Sequence, residues 1–297
     1  MDWATQLHKM GPGWQAYIGF LMFCLGACWG SFLNVCVYRI PMGRSVVTPR
    51  SHCPHCHHLI AWYDNIPLVS FLVLRARCRN CGARISPRYL LIELLVAALF
   101  LLVWLKYGVA GAPRLLGLAP VDQLRLVPIY WLGVFGLVLG TFVDFEHMII
   151  PDRVSLGGIA AGLILSALVP ALHGAATFYG GLGAAGLGAL VGAGLLWGVA
   201  LLGKLIFKKD AMGLGDVKLL GAIGAFLGWD AVLFTIMVSS LVGSVVGLTL
   251  VCTGKKEMQG RVPYGPYLAL AALIWILWGP TLWNAYVAWL MPGVALS

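Results

Sequence analysis

Charge is what this chain has least of, and acidic charge above all. Of 297 residues only 11 are Asp or Glu, and charged residues together make up 10%; a soluble domain carries about a quarter. The shortfall excludes an ordinary water-soluble globule. With 60% hydrophobic residues and a mean hydropathy of +0.89, lipid is the solvent for much of the surface. The start, Met1 to Gly13, also lacks a compact basic segment, a short apolar core and a small-residue cleavage site. The first apolar run is therefore expected to be a retained span, not a removable signal. No internal repeat at a fixed period is present.

What charge there is has the wrong distribution for a nucleic-acid binder, despite a net +9. Arg39, Arg44, Arg50, Arg75, Arg77, Arg79, Arg84 and Arg88 share one hydrophilic segment, and the other basic residues mostly flank apolar runs. That is an orientation signal for a membrane protein and needs no polyanion to explain it. Eight apolar runs of roughly spanning length are expected near Ala16–Val37, Tyr89–Leu105, Val127–Asp144, Val154–Leu172, Phe178–Leu202, Gly213–Gly228, Ala231–Val251 and Tyr264–Leu290. With the Arg-rich segment in the cytoplasm, alternation brings the loops near Asp152, Lys204–Asp210 and Lys255–Arg261 to the same side. That side holds 15 basic residues against four opposite, Lys9, Lys106, Arg114 and Arg125, and both termini face away from it.

The expected fold is an all-α polytopic membrane protein with a small cytoplasmic zinc-type domain between its first two helices. Residues 1–38 hold the N-terminus and first span, 39–88 the cytoplasmic domain, and 89–297 the multi-helix membrane domain. A soluble segment of this size buries little core, so it needs a staple such as a metal. Cys53-Pro-His-Cys56 and Cys78-Arg-Asn-Cys81 supply one. Each CxxC turn offers two thiolates to one edge of a tetrahedron, and two turns complete a structural zinc site. A reducing cytoplasm disfavours disulfides for the same four. His52, His55, His57 and His58 crowd the first pair and are read as its solvated surface; Cys24, Cys28, Cys36 and Cys252 are read as packing residues.

Two carboxylates stand at membrane depth. Asp144 closes the third span in Phe142-Val-Asp-Phe-Glu-His147, and Asp216 opens the sixth in Met212-Gly-Leu-Gly-Asp-Val-Lys218. Such groups are expensive in a bilayer and mark function. Both lie on the cytoplasmic side, and the intervening fourth and fifth spans form a hairpin that lets them meet. Meeting, they could not both ionise cheaply and would share a proton. The ionised member then takes a proton from water while the other polarises a peptide carbonyl, the arrangement of aspartic proteases. Gly213 and Gly215, lacking side chains, would admit a substrate strand. Taken singly, each aspartate also reads as a span end, and Asp152 beside Pro151 reads as a helix N-terminal residue. A proton-coupled transporter would use the same carboxylates but leaves the cysteine domain unexplained; a zinc-dependent sensor or scaffold leaves the aspartates unexplained.

These residues resemble an ordered family pattern. Gly30-Ser-Phe-Leu-Asn-Val-Cys-Val-Tyr-Arg-Ile-Pro41, the two cysteine pairs and Trp62-Tyr-Asp-Asn-Ile-Pro67 come first. Ile85-Ser-Pro-Arg-Tyr89 with Glu93, the Asp144 segment, Gly213 to Asp216 and Pro263-Tyr-Gly-Pro-Tyr267 follow. The set is similar to that of the bacterial type IV prepilin peptidases and covers most of the chain. The resemblance implies a bifunctional enzyme of the bacterial inner membrane. It would cleave the basic leader from prepilins or pseudopilins at the cytoplasmic face, then methylate the new N-terminal amine with S-adenosylmethionine. It implies Asp144 and Asp216 as the catalytic pair and Cys53, Cys56, Cys78 and Cys81 as the cysteine domain. The chain departs from the family at Glu146, Leu90 and Ala76, where Asp, Pro and Gly are usual.

For methyl transfer, the one GxGxxG, Gly181-Leu-Gly-Ala-Ala-Gly186, sits in a long apolar helix with more glycines beyond it. It is read as close helix packing and not as a donor site. Glu93, one turn inside the second span behind Ser86 and Pro87, is the candidate polar group, to hold an amine or to pair with Arg84 or Arg88.

Overall fold

The computed structural model describes residues 11–109, 118–208, 213–253 and 263–291. Lys9, Arg114, Asp210, Met212 and the Lys255–Arg261 loop, which entered the orientation argument and the Asp216 motif, lie outside these. All eight predicted apolar segments are helices: α1 Pro12–Arg39, α2 Pro87–Tyr107, α3 Pro120–His147, α4 Asp152–Leu168, α5 Phe178–Phe207, α6 Leu214–Leu227, α7 Trp229–Cys252 and α8 Gly265–Leu290. Six of them, all but α4 and α6, are long and apolar enough to cross a membrane. The protein is an all-helical multi-pass membrane protein, and the expected count of about eight spans is approximate: α4 and α6 are the two short helices. At 1.5 Å per residue, the 17 residues of α4 reach about 26 Å and the 14 of α6 about 21 Å, against a hydrocarbon core of roughly 30 Å.

Sequence explains where the helices stop. The fourth apolar run was expected to continue to Leu172, but the residue before a proline is pushed out of helical geometry. Val169, before Pro170, has φ −128° and ψ 76°, and a short 3-10 turn, Pro170–His173, follows. Conversely, α3 and α5 outrun their apolar segments. α3 begins at Pro120, with an Arg125–Asp122 ion pair of 3.2 Å on its first turns, and α5 carries Lys204 in its last turn. Hydropathy marks the reach of lipid, and hydrogen bonding carries a helix beyond it.

The chain divides into two compact units, Met1–Leu115 and Leu116–Ser297. In the first, α1 and α2 lie against each other as a close hairpin. The approach is set by glycine: a Cβ on Gly30 would sit 2.7 Å from the Cα of Glu93. Ser86 caps α2 by accepting the Arg88 N–H, and Pro87 occupies the first turn, as its sequence predicted. In the second unit α6 packs chiefly on α5 and α4, and every residue from Leu219 to Phe226 is buried. A helix apolar all round belongs inside protein, so α6 need not match the bilayer's thickness. The glycines of α5 make this possible, because a Cβ on Gly188 would run into the Gly224 carbonyl and one on Gly192 into that of Leu220. The GxGxxG thus lies on a helix with no strand before it, as the packing reading required. Only its first glycine, against the Ser166 carbonyl, makes a tight contact; Gly183 and Gly186 face open space.

Candidate active site

Asp144 lies one turn before the end of α3. Its carbonyl accepts the Met148 N–H, and Met148, in the left-handed region at φ 54°, turns the chain towards Ile150 and Pro151, the N-cap of α4. Asp144 is 6% exposed, and among the described residues its Oδ2 has no hydrogen-bond partner of ordinary geometry. The backbone N–H of Gly265, at the start of α8, faces the carboxylate. A Cβ on Gly265 would lie 2.8 Å from Oδ2.

Asp216 is the third residue of α6, whose N-cap is Gly213. Its carboxylate reaches back to the Gly213 N–H, the contact an acidic residue at this position makes in a capping box. Asp216 is half-buried and within direct electrostatic range of Asp144. Ile150 fills the space between their supports: a Cβ on Gly215 would meet Ile150 Cβ at 3.2 Å, and one on Gly265 would meet Ile150 Cδ1 at 3.0 Å. The two aspartates are thus brought together with a glycine N–H from a helix N-terminus on each. Gly213 and Gly215 both flank Asp216. Glu146 and His147, 3.9 Å apart, are partly exposed at the end of α3. Asp152 is the first residue of α4, as its reading as a helix N-terminal residue required, and Lys218 Nζ donates to its Oδ1 at 2.7 Å.

Three residues were given no role by the sequence. Gly265 had a signal, a Gly-Pro step before an apolar run, but nothing in the chain says which carboxylate it faces. Ile150 carries none. Lys218 falls inside the sixth apolar run, and its partner, Asp152, lies on another helix.

The cysteine quartet sits in the first unit. The four sulfurs all lie within 4.8 Å of one another, and Cys53 Sγ is 3.8 Å from Cys81 Sγ. A tetrahedron with Zn–S bonds of about 2.3 Å has edges of about 3.8 Å, so the donor set fits zinc in chemistry and size. Each pair is a small hairpin. Cys53 N–H bonds the His58 carbonyl and His57 N–H the Cys53 carbonyl; Cys78 and Gly82 repeat the pattern with Ala83 and Cys78. The residue after the second cysteine is left-handed in both, His57 at φ 56° and Gly82 at φ 71°, which assigns His57 a turn position. Asn80 Nδ2 donates to Cys56 Sγ; this bond, with the His58 backbone N–H, holds the thiol down to about 6.

Glu93 is buried between α1 and α2 at 8% exposure. Its Oε2 accepts the Leu68 N–H at 2.8 Å, and Ser31 donates to the same carboxylate. Leu68 stands at φ 62° and ψ −49°, with Val69 N–H bonded to the Pro67 carbonyl at 2.7 Å. That is a γ-turn of the strained hand, so Glu93 anchors a strained backbone.

With this geometry in view, the comparisons with known proteins are direct. The family model described as Bacterial Peptidase A24 N-terminal domain matches residues 24–107, and the one described as Type IV leader peptidase family matches residues 131–248. A prepilin leader peptidase/N-methyltransferase of Aeromonas hydrophila is 36% identical over 291 aligned positions, covering 90% of this chain and 93% of the relative. One from Aeromonas salmonicida (strain A449) is 35% identical over 309 positions, covering 96% and 99%. One from Myxococcus xanthus (strain DK1622) is 39% identical over 250 positions, covering 84% and 68%. No solved structure matches. The chain belongs to the type IV leader peptidase family, as a bacterial member with both its N-terminal and its peptidase regions.

Proposed function

We propose that this protein cleaves the leader from type IV prepilins or pseudopilins at the cytoplasmic face of the bacterial inner membrane, and then N-methylates the new N-terminal residue. The observation that carries the cleavage reading is the meeting of Asp144 and Asp216, drawn from two helices into one electrostatically coupled pair. Two carboxyls within electrostatic range of each other avoid ionising together and share a proton. One aspartate takes a proton from water as the water oxygen bonds to the scissile carbonyl carbon, and the other donates its proton to the carbonyl oxygen. When the tetrahedral intermediate collapses, the C–N bond breaks and the leaving amine takes up a proton from the carboxyl that received one. Gly213 leaves room for the substrate backbone beside Asp216, whereas the space a side chain on Gly215 would need is taken by Ile150. A prepilin's basic leader joined to an apolar helix would put its junction at the inner interface, where the basic loops of this chain also lie.

S-adenosylmethionine, the methyl donor of this reading, would supply an electrophilic methyl group to the freed amine. In the methyl-transfer reading Glu93 acts by holding the Leu68 turn within the cytoplasmic domain. Cys53, Cys56, Cys78 and Cys81 would hold a structural zinc that closes residues 39–88, with no open position for catalysis. Transport or zinc sensing gains nothing from the relatives, which are named as peptidases and methyltransferases.

The test is cleavage of a prepilin by purified full-length protein, with mass spectrometry of the product. Asp144→Ala and Asp216→Ala, and the isosteric Asn variants, are expected to insert normally and to release no leader. Leader release at the unaltered rate by either aspartate variant would refute the dyad.

A further inference from the structure

We propose that Gly265 is a positioning residue for the reaction, holding the Asp144 carboxylate through its N–H and its missing side chain, and that Tyr264 holds Gly265. The inference rests on the dyad reading above and adds a third helix to the site.

The start of α8 has a fixed supply of donors. Pro266 has no N–H, and the Tyr267 N–H is bonded to the Tyr264 carbonyl at 3.0 Å. The Gly265 N–H remains, at the N-terminus of a 26-residue helix, and it faces Asp144. An aligned N–H at this end of a helix favours an acceptor oxygen. Asp144 Oδ2, buried and without another partner among the described residues, is such an oxygen.

Contact this close needs glycine for room, not for backbone freedom. Gly265 is absent from the positive-φ glycines, so an alanine backbone is tolerated there. The added Cβ would meet Asp144 Oδ2 at 2.8 Å, Ile150 Cδ1 at 3.0 Å and Asp144 Cγ at 3.4 Å. Both neighbours are side-chain ends that can shift. Gly265→Ala therefore displaces the carboxylate and leaves the fold standing, which makes it a clean probe.

Tyr264, the N-cap of α8, fixes how far Gly265 advances. Its hydroxyl lies 2.7 Å from Ser239 Oγ and 3.3 Å from Ser240 Oγ on α7. Ser239 is fully buried and donates to the Ile236 carbonyl at 3.2 Å. Its Oγ therefore accepts from Tyr264, and one donor chain runs from Tyr264 through Ser239 to Ile236. The register of α8 against α7 is set by this chain and transmitted to Asp144 by Gly265.

The experiment measures kcat and KM for leader cleavage of a prepilin by full-length protein in detergent, with Tm on each preparation. Misplacing a reacting group by about 1 Å costs about 100-fold. Gly265→Ala is expected to lose about that factor in kcat with KM and Tm little changed. Tyr264→Phe, which keeps the ring and loses only the hydroxyl, is expected to lose about fivefold in kcat, the equivalent of one neutral hydrogen bond. Ser239→Ala should match it, and the double variant should be no worse than either single, since both break one chain. A Gly265→Ala enzyme with unchanged kcat, a loss that appears in KM or tracks Tm, or additive Tyr264 and Ser239 effects would overturn the proposal. The Asp144→Asn and Asp216→Asn enzymes separate the two levels. If they still cleave, the dyad fails and the inference with it; if they are inactive while Gly265→Ala is fully active, the inference alone fails.

Discussion

Replacing Glu93 by alanine tests the local physics of the first unit with one bond. The carboxylate Oε2 accepts the Leu68 N–H at 2.8 Å, and Leu68 sits in a γ-turn at φ 62°, a conformation that costs about 1–3 kcal/mol. Glu93→Ala leaves that N–H without its acceptor, a loss of about 1–3 kcal/mol for a buried donor. The strain of the turn is present in both proteins and cancels from the comparison. The opening equilibrium of the turn should then rise about 5- to 150-fold. Glu93→Gln keeps an acceptor of the same reach and should fall between. The assay is amide hydrogen exchange by mass spectrometry on full-length protein in nanodiscs, read on peptides spanning Leu68. Peptides from α5 serve as the internal standard. Equal exchange at Leu68 in the wild-type and Glu93→Ala proteins would show that the bond does not carry the turn, and would remove Glu93's assignment as an anchor.

Two further outcomes follow from the packing and from the cysteines. Gly188→Ala drives a Cβ into the Gly224 carbonyl, whereas Gly194→Ala on the same helix meets nothing within 4 Å. Overpacking should cost the first about 1–3 kcal/mol, and the second should gain up to about 1 kcal/mol from helix propensity. Thermal midpoints in one detergent that rank the two equally, or in reverse, would refute the α5–α6 contact. Metal analysis should find zinc in the wild-type protein and little in Cys56→Ser. Chelation should release the Cys53–Cys81 segment to proteolysis without extracting α1 or α2 from the membrane. A metal-free wild-type protein whose cysteine segment resists protease equally well would contradict the zinc assignment.

Much of the architecture was legible because lipid simplifies the code. A long apolar run has few structural options in a bilayer, so all eight helices appear where hydropathy put them. The ends were less legible, for reasons that differ by residue. Pro170 ended α4 early through a steric rule that a hydropathy window averages away. α3 gained its first turns from residues such as Asp122 and Arg125, polar enough to look like loop and helical nonetheless. α6 read as an apolar run of roughly spanning length, but its letters did not show that the stretch from Leu219 to Phe226 is apolar because protein surrounds it. Composition does not distinguish lipid from a protein neighbour. The site divides the same way. Asp144 and Asp216 stand out because a carboxylate at membrane depth is rare, and the cysteines because their spacing repeats. Gly265 and Ile150 act by where they are and by how little or how much space they fill. Properties of that sort belong to a fold, not to a string of letters.

The shortness of α6 bears on the chemistry. A helix of about 21 Å cannot reach across a hydrocarbon layer of about 30 Å, so at least one of its ends lies at membrane depth. Open backbone there is tolerated only where protein or a water-lined cavity surrounds it. At its N-terminal end the Gly213 N–H turns to the Asp216 carboxylate, and the Gly265 N–H of α8 turns to Asp144. The orphan donors of two helix starts and two carboxylates, Asp144 buried and Asp216 half-buried, thus answer each other's needs: each acid lowers the burden of an unpaired N–H, and each N–H makes an oxygen tolerable away from bulk water. A soluble aspartic site can rely on solvent for part of that compensation. Here the compensation must come from backbone, and glycine is the residue that lets backbone come close enough. The demand on position 265 is therefore steric before it is chemical, since a Cβ there would meet Asp144 Oδ2 at 2.8 Å, whereas one on Gly213 would lie in ordinary contact with Asp216 Oδ2 at 3.4 Å. Substitutions at position 265 should damage turnover through the placement of the acids, while the helices that carry them remain folded.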